Sequence, residues 1–273
     1  MKASKLIIAA VITGAAFAAT SAMAQPGGIG GRATIKSTVK MNGKLDVKRG
    51  ATAHFANFKL KNSRINGNAD VRGYSETDGP VTVKKNGRLG HGSFGMYNSQ
   101  ITGNVKADIE AKSKRITVGR GAKVFVGAVD MYNQSKINGN LDIRAKGETG
   151  TIKAGKNSIG LVSALQMNGS TIGGNTRFKL YSRTGNLTLG KNAHTYIASA
   201  SLTNSAIGGP MTMTSNVKLG NVKLGKNANF AAGAFRMNNS SIGGSVDFTS
   251  DVSAGNVSLG SGADVSLGSF QSS

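Results

Sequence analysis

The sequence predicts an all-β solenoid, a chain wound into stacked coils, and three observations lead there. The phrase S-x-I-x-G recurs as "SRING", "SQITG", "SKING", "STIGG", "SAIGG" and "SSIGG", placing Ile65, Ile101, Ile137, Ile172, Ile207 and Ile242 at intervals of 35 or 36 residues. A second phrase, from "VKRGA" through "LGKNA" to "LGSGA", begins at Val47, Val83, Val118, Ala154, Leu189, Leu224 and Leu259 with the same period. Between the phrases, runs such as "NLTLG", "TRFKLYS" and "SVDFTS" alternate apolar with polar residues, which is the period of a strand and not of a helix.

The 273-residue chain opens with a basic start, an apolar core "LIIAAVITGAAFAA" and small residues before Gln25, so residues 1–24 are expected to be a secretory signal. Residues 25–39 form a lead-in, and residues 40–273 form the repeat domain. No later run is long and apolar enough to suggest integral membrane insertion after cleavage. Glycine and asparagine close each strand run and supply the positive-φ turns that short strands need. The two phrases lie half a period apart, which suggests coils of 18 residues and two coils per repeat. On that reading about 12 to 13 rungs would make a rod of about 60 Å. A β-propeller is the alternative for an all-β chain with seven copies of a phrase.

Stacked coils turn each repeated position into a ladder. Ile65, Ile101, Ile137, Ile172, Ile207 and Ile242 are expected to form one inward apolar ladder, and Leu60, Met96, Met131, Met167, Leu202 and Met237 another. Asn62, Asn98, Asn204 and Asn239 are expected to form a turn ladder of amides that satisfy one another.

Charge is the strongest functional signal. The chain carries 34 Lys and Arg against 12 Asp and Glu, a formal net charge of +22. Residues 25–160 hold 24 basic and 9 acidic residues, a net of +15, whereas residues 161–273 hold 8 and 3, a net of +5. The third residue of the second phrase is Arg49, Lys85, Arg120, Lys156, Lys191 and Lys226, with Ser261 in the last copy. With two coils per repeat these cations would stand about 9.5 Å apart, near the Debye length. They form either a solvated face or a stripe that binds polyanions such as nucleic acid, lipopolysaccharide or acidic polysaccharide.

Catalytic signals are weak. Asp46, Asp70, Asp108, Asp142 and Asp247 recur after turns, which suits exposed strand positions better than a single catalytic site. His54, His91 and His194 fall at different offsets from the second phrase and have no metal-ligand spacing. The chain has no cysteine. It is therefore expected not to be an enzyme, and to need no cofactor or metal.

With its leader followed by Gly/Asn/Ser-rich repeats such as "MNNSSIGGSVDF" and "LGKNANF", the chain resembles bacterial secreted β-solenoid proteins of the filamentous-haemagglutinin and curlin-like fibre and adhesin kind, over roughly Lys40 to Phe270. That resemblance implies a secreted structural or adhesive protein of a cell surface or biofilm matrix. The expected location is extracellular or at the cell surface, with the periplasm as an alternative. The last repeat has no covering helix, so self-association is expected, with an anionic polymer or anionic cell surface as the other partner. A monomeric extracellular polyanion-binding module is the second reading, and a carbohydrate-active β-helix enzyme the third.

Overall fold

Strand register fixes how the repeat is used. The computed structural model describes Ile7–Ile8, Val11–Thr13, Ser21–Ala24 and residues 28–273. From Ser21 on, each strand pairs in parallel with the strand 35 or 36 residues away, whereas Ile7–Ile8 and Val11–Thr13 pair at an offset of 27. Val71, for example, lies opposite Ile35 on one side and Ala107 on the other. One repeat is therefore one coil, and the fold is a parallel β-solenoid.

The two-coil expectation is overturned by this register, since Ile65 pairs with Ile101 and not with a residue half a period away. The half-period marks two different sides of one wide coil. The rod shortens accordingly to seven coils, about 34 Å at parallel-strand spacing. The propeller is excluded too, because each sheet runs through all the repeats instead of belonging to one blade.

Every coil contributes to five sheets. The first holds the longest strands, nine residues in Ala69–Thr77, Val105–Ser113, Leu141–Thr149, Thr176–Thr184 and Met211–Leu219. The second holds three-residue strands such as Val81–Val83 and Leu187–Leu189. The third includes Thr52–Phe55, Arg88–His91, Lys123–Val126, Ile159–Val162 and His194–Ile197. The fourth includes Asn57–Lys61, Phe94–Tyr97, Val129–Tyr132 and Leu165–Asn168. The fifth holds short strands around the isoleucines, such as Gln100–Ile101 and Lys136–Ile137. No helix of the described residues is long and apolar enough to cross a membrane.

Alternation along each strand sends one set of side chains into the coil. The isoleucine ladder is buried from Ile65 to Ile207 and half-buried at Ile242, and Met96, Met131, Met167, Leu202 and Met237 stack in register in the fourth sheet. A coil this wide needs large side chains to fill it. Phe94, Phe178, Phe230 and Phe235 are fully buried, and Phe58 stacks on Phe94 with ring centroids 5.3 Å apart.

The serine of S-x-I-x-G has its own explanation. Ser63, Ser99, Ser135, Ser170 and Ser205 are buried at the corner before the fifth sheet. The hydroxyls of Ser99 and Ser205 donate to the carbonyls of Tyr97 and Thr203, and accept the backbone N–H of Ser63 and Ser170 in the preceding coil. A small hydroxyl thus satisfies buried backbone groups where the chain turns. The asparagine ladder forms in two stretches: Asn98 donates to Asn62 at 3.1 Å and Asn239 to Asn204 at 2.7 Å. Asn133 and Gly169 take that positive-φ position in the intervening coils, and no amide–amide bond bridges the two stretches among the described residues.

The expected leader lies largely outside the described residues. Within it, Ile7–Ile8 and Val11–Thr13 pair with Ala33–Met41, and Ser21–Ala24 pairs with Asn57–Lys61.

One ionisable side chain is buried in the interior. His91 Nε2 lies 3.0 Å from the Lys112 carbonyl, which only accepts, so this nitrogen carries the proton. Nδ1 then accepts from the Ser75 hydroxyl at 2.6 Å. Burial pulls the imidazole down to about 4, and the hydrogen bond to Lys112 opposes this only in part. The unfolded chain takes up this proton near the ordinary pKa of 6.5, so the stabilising contribution is complete above that pH and is lost as pH falls toward 4. Denaturant unfolding should show a loss of up to about 3 kcal/mol between pH 7 and 4 from this group. The His91→Val variant, which copies Val126 one coil on, should lose that part of the slope; equal slopes would contradict the assignment.

Candidate polyanion interface

The second phrase is a type II β-turn between the second and third sheets. Backbone bonds close it from Ala51 N to Lys48 O at 3.1 Å, Gly87 N to Lys84 O at 2.9 Å and Ala193 N to Gly190 O at 3.2 Å. Its third position needs a positive φ and has Gly50 at 69°, Asn86 at 57°, Asn157 at 56° and Asn192 at 53°. Glycine and asparagine are the residues that adopt this conformation most readily, which accounts for the "GKN" and "RG" of the phrase.

The position before them is the basic one. Arg49, Arg120, Lys156, Lys191 and Lys226 are exposed at the turn tips, and Lys85 is half-buried. The coils are locked together there, since the N–H of Asn86, Asn157 and Asn192 donates to the carbonyls of Arg120, Lys191 and Lys226, each at 3.0 Å. The six cations thus form one column, and its spacing corrects the earlier expectation. They rise one coil at a time, about 4.8 Å per step and not 9.5 Å.

This spacing changes the electrostatics. Steps of 4.8 Å lie well inside the Debye length of about 8 Å at physiological salt, so screening relieves the repulsion only partly. Two unit charges at that distance in water repel by about 1 kcal/mol.

Further cations flank the column. Lys153 and Lys223 occupy the outward position of the second sheet, in register with Thr117, Thr188 and Ser258. Lys48 and Lys84 stand beside the first two turns. They hold Asp46 between them at 3.2 and 3.6 Å, and the Lys48 hydrogen bond draws its carboxyl below the ordinary value. The sequence reading missed Lys153 and Lys223 because neither is part of a repeated phrase; only the register brings them to this edge.

The outer face of the first sheet is organised differently. Its second column reads Thr34, Asp70, Lys106, Asp142, Arg177, Thr212 and Asp247, so charges alternate in sign from Asp70 to Arg177. Ion pairs link Arg72 to Asp70 at 3.4 Å and Lys146 to Glu110 and Glu148 at 3.3 and 2.8 Å. Those pairs neutralise part of that face, although Lys36 stacks on Arg72 and Arg144 on Lys179, whereas the six turn cations form no ion pair among the described residues.

Asp70, Asp142 and Asp247 lie on this face with Asp108 two residues along the strand, between Arg72 and Arg144, while Asp46 is on the second sheet. The five carboxylates do not converge. His54, His91 and His194 all belong to third-sheet strands but do not meet: His91 points inward, His54 lies half-buried at a corner, and His194 is exposed three coils further on. Among the described residues no group of three His, Asp or Glu is placed to hold a metal ion. No protein-family model, curated protein or solved structure matches this chain.

Replacing Arg120, Lys156 and Lys191 by glutamine should relieve repulsion in the free protein. Its thermal midpoint should rise relative to the parent at about 10 mM salt, where the Debye length is about 30 Å, and the gain should shrink at 1 M. A lower midpoint at low salt would contradict the account.

Proposed function

We propose that this chain is a secreted structural or adhesive protein of a bacterial surface or extracellular matrix, and that its turn edge grips acidic polymers. The observation that supports this best is the column Arg49, Lys85, Arg120, Lys156, Lys191 and Lys226, one cation per coil with Asp46 as its acidic neighbour on the second sheet. An extended anion laid along the axis meets a charge every 4.8 Å or so, and each contact releases condensed counterions. The solenoid makes the edge rigid, so little ordering cost falls on the protein when it binds.

End-to-end assembly belongs to the same proposal. The coil containing Val246–Ser253 and Asp264–Leu267 carries Asp247, Asp251 and Asp264 with no Lys or Arg, whereas the coil from Arg32 to Arg49 is strongly basic. Opposite charge on coils of the same outline favours head-to-tail contact between copies. A resemblance to filamentous-haemagglutinin-like and curlin-like subunits points the same way. The competing reading is a monomeric binding module with the same edge.

Retention on immobilised heparin and on single-stranded DNA, measured from 50 to 200 mM salt, tests the edge. Six contacts predict a loss of affinity of roughly 300- to 2,000-fold over that range. The Arg120, Lys156 and Lys191 to glutamine variant should lower the log–log slope by about 2 to 3. A salt-independent interaction, or an unchanged slope in the variant, would refute binding by this edge. Light scattering on the same samples separates the two forms: growing rods support assembly, and monomers that still bind leave the module.

A further inference from the structure

The third and fourth sheets meet at a corner where one residue per coil takes a positive φ, including Ala56 at 48°, Gly92 at 56°, Gly127 at 59° and Ser163 at 50°. The bend brings the outer faces of the two sheets together into a groove. In the middle coils this groove is filled. Leu161 is fully buried with Ala128 and Ala164, and Phe125 and Tyr196 pack on them, in a cluster separate from the main core.

One coil earlier the filling is missing. Register puts Gly90 beside Phe125 and Gly95 beside Asp130, so two outward positions on facing sheets lose their side chains in the same coil. A cavity of about 320 Å³ lies between them. The scaffold repeats, but the opening is particular to this coil: Gly95 leaves its outward position empty, whereas the Asn57 amide and the His54 ring already fill the space over Gly90.

Its lining is chemically mixed. Tyr97, Phe125 and Tyr132 supply aromatic surface. Lys59 and Arg88 supply cations that form no ion pair among the described residues. The Tyr132 hydroxyl donates to Gln166, and His54 Nδ1 accepts from Asn57 at 2.8 Å, so both atoms are already engaged. Asp130 differs: its Oδ1 is buried and has no hydrogen-bond partner. Burial pushes this carboxyl up to about 7 against the pull of Arg88 and Lys123.

We infer that this cavity binds one acidic sugar ring, a hexuronate, with its carboxylate between Lys59 and Arg88, an apolar ring face on the aromatic wall, and a ring hydroxyl donating to Asp130 Oδ1. Each requirement comes from a separate group. The two unpaired cations select an anion. Aromatic surface beside polar groups suits a ring with one apolar face and several hydroxyls. The unpartnered Asp130 oxygen selects a ligand with an O–H, because an aromatic carboxylate of similar size would leave it buried and unsatisfied. The site shares no residue with the turn column and stands without it.

Titration calorimetry with methyl β-glucuronide tests the inference, with methyl β-glucoside and benzoate as the other probes. Wild-type protein should bind the glucuronide, and the glucoside and benzoate at least about tenfold more weakly. Arg88→Gln and Asp130→Ala, which removes the acceptor oxygen, should each weaken the glucuronide by about tenfold or more. Gly95→Gln should abolish binding. It reproduces the side chain found at the equivalent Gln166 two coils on, and a Cβ at Gly95 has its nearest neighbour 4.0 Å away, so the fold should tolerate it and an unchanged circular dichroism melt checks this. The Arg120, Lys156 and Lys191 to glutamine variant should bind glucuronide like the parent. No binding by wild type, equal binding of benzoate, or full binding by a folded Gly95→Gln protein would overturn the inference.

Discussion

Parallel in-register stacking is the constraint on which the rest of the structure depends. Each coil hydrogen-bonds to the coil 35 or 36 residues on, so a side chain's neighbours along the axis are its own counterparts. Like residues must then be comfortable on like. Ile101 on Ile137 and Met131 on Met167 meet that condition, and each buried side chain of this type contributes about 1.5 to 3 kcal/mol. Serine and asparagine meet it through donors and acceptors that pass from coil to coil. Lysine on lysine does not, and this makes the turn column the most informative surface of the molecule.

Two faces show two responses to that constraint. On the first sheet, acids and bases alternate from Asp70 to Arg177 in one column, and stacking pairs Lys146 with Glu110 of the preceding coil, although the next column sets Lys36 on Arg72 and Arg144 on Lys179. At the turns, the sequence keeps a cation in six successive coils and offers acids only at Asp46 nearby. The backbone there needs only a residue with ordinary negative φ before the glycine or asparagine, so turn geometry does not demand lysine. The repetition of charge is therefore not a requirement of the turn, and it is the observation on which the proposed binding of acidic polymers rests.

Much of the fold was legible in the sequence because repetition exposes ladders directly. The isoleucine and methionine ladders and the turn asparagines and glycines could be read from spacing alone. The number of residues per coil could not. Both phrases mark corners of the same coil, and a periodic sequence fixes its period without stating how many turns the chain makes within it. Only the pairing of Ile65 with Ile101 decides that. The same gap hid Lys153 and Lys223, whose significance lies in what stands above and below them. Gly90 and Gly95 were harder still. They are two of 39 glycines, and nothing local separates them from turn glycines until register sets them beside Phe125 and Asp130.

The central claim is that each repeat makes one coil, which sets the cation spacing and with it the character of the basic edge. Electron–electron resonance between spin labels at Arg49→Cys and Lys226→Cys tests it most directly, since the chain has no cysteine of its own. These positions lie five repeats apart on one edge. One coil per repeat predicts a separation centred near 24 Å; a distribution centred near 48 Å would mean two coils per repeat and would contradict the account.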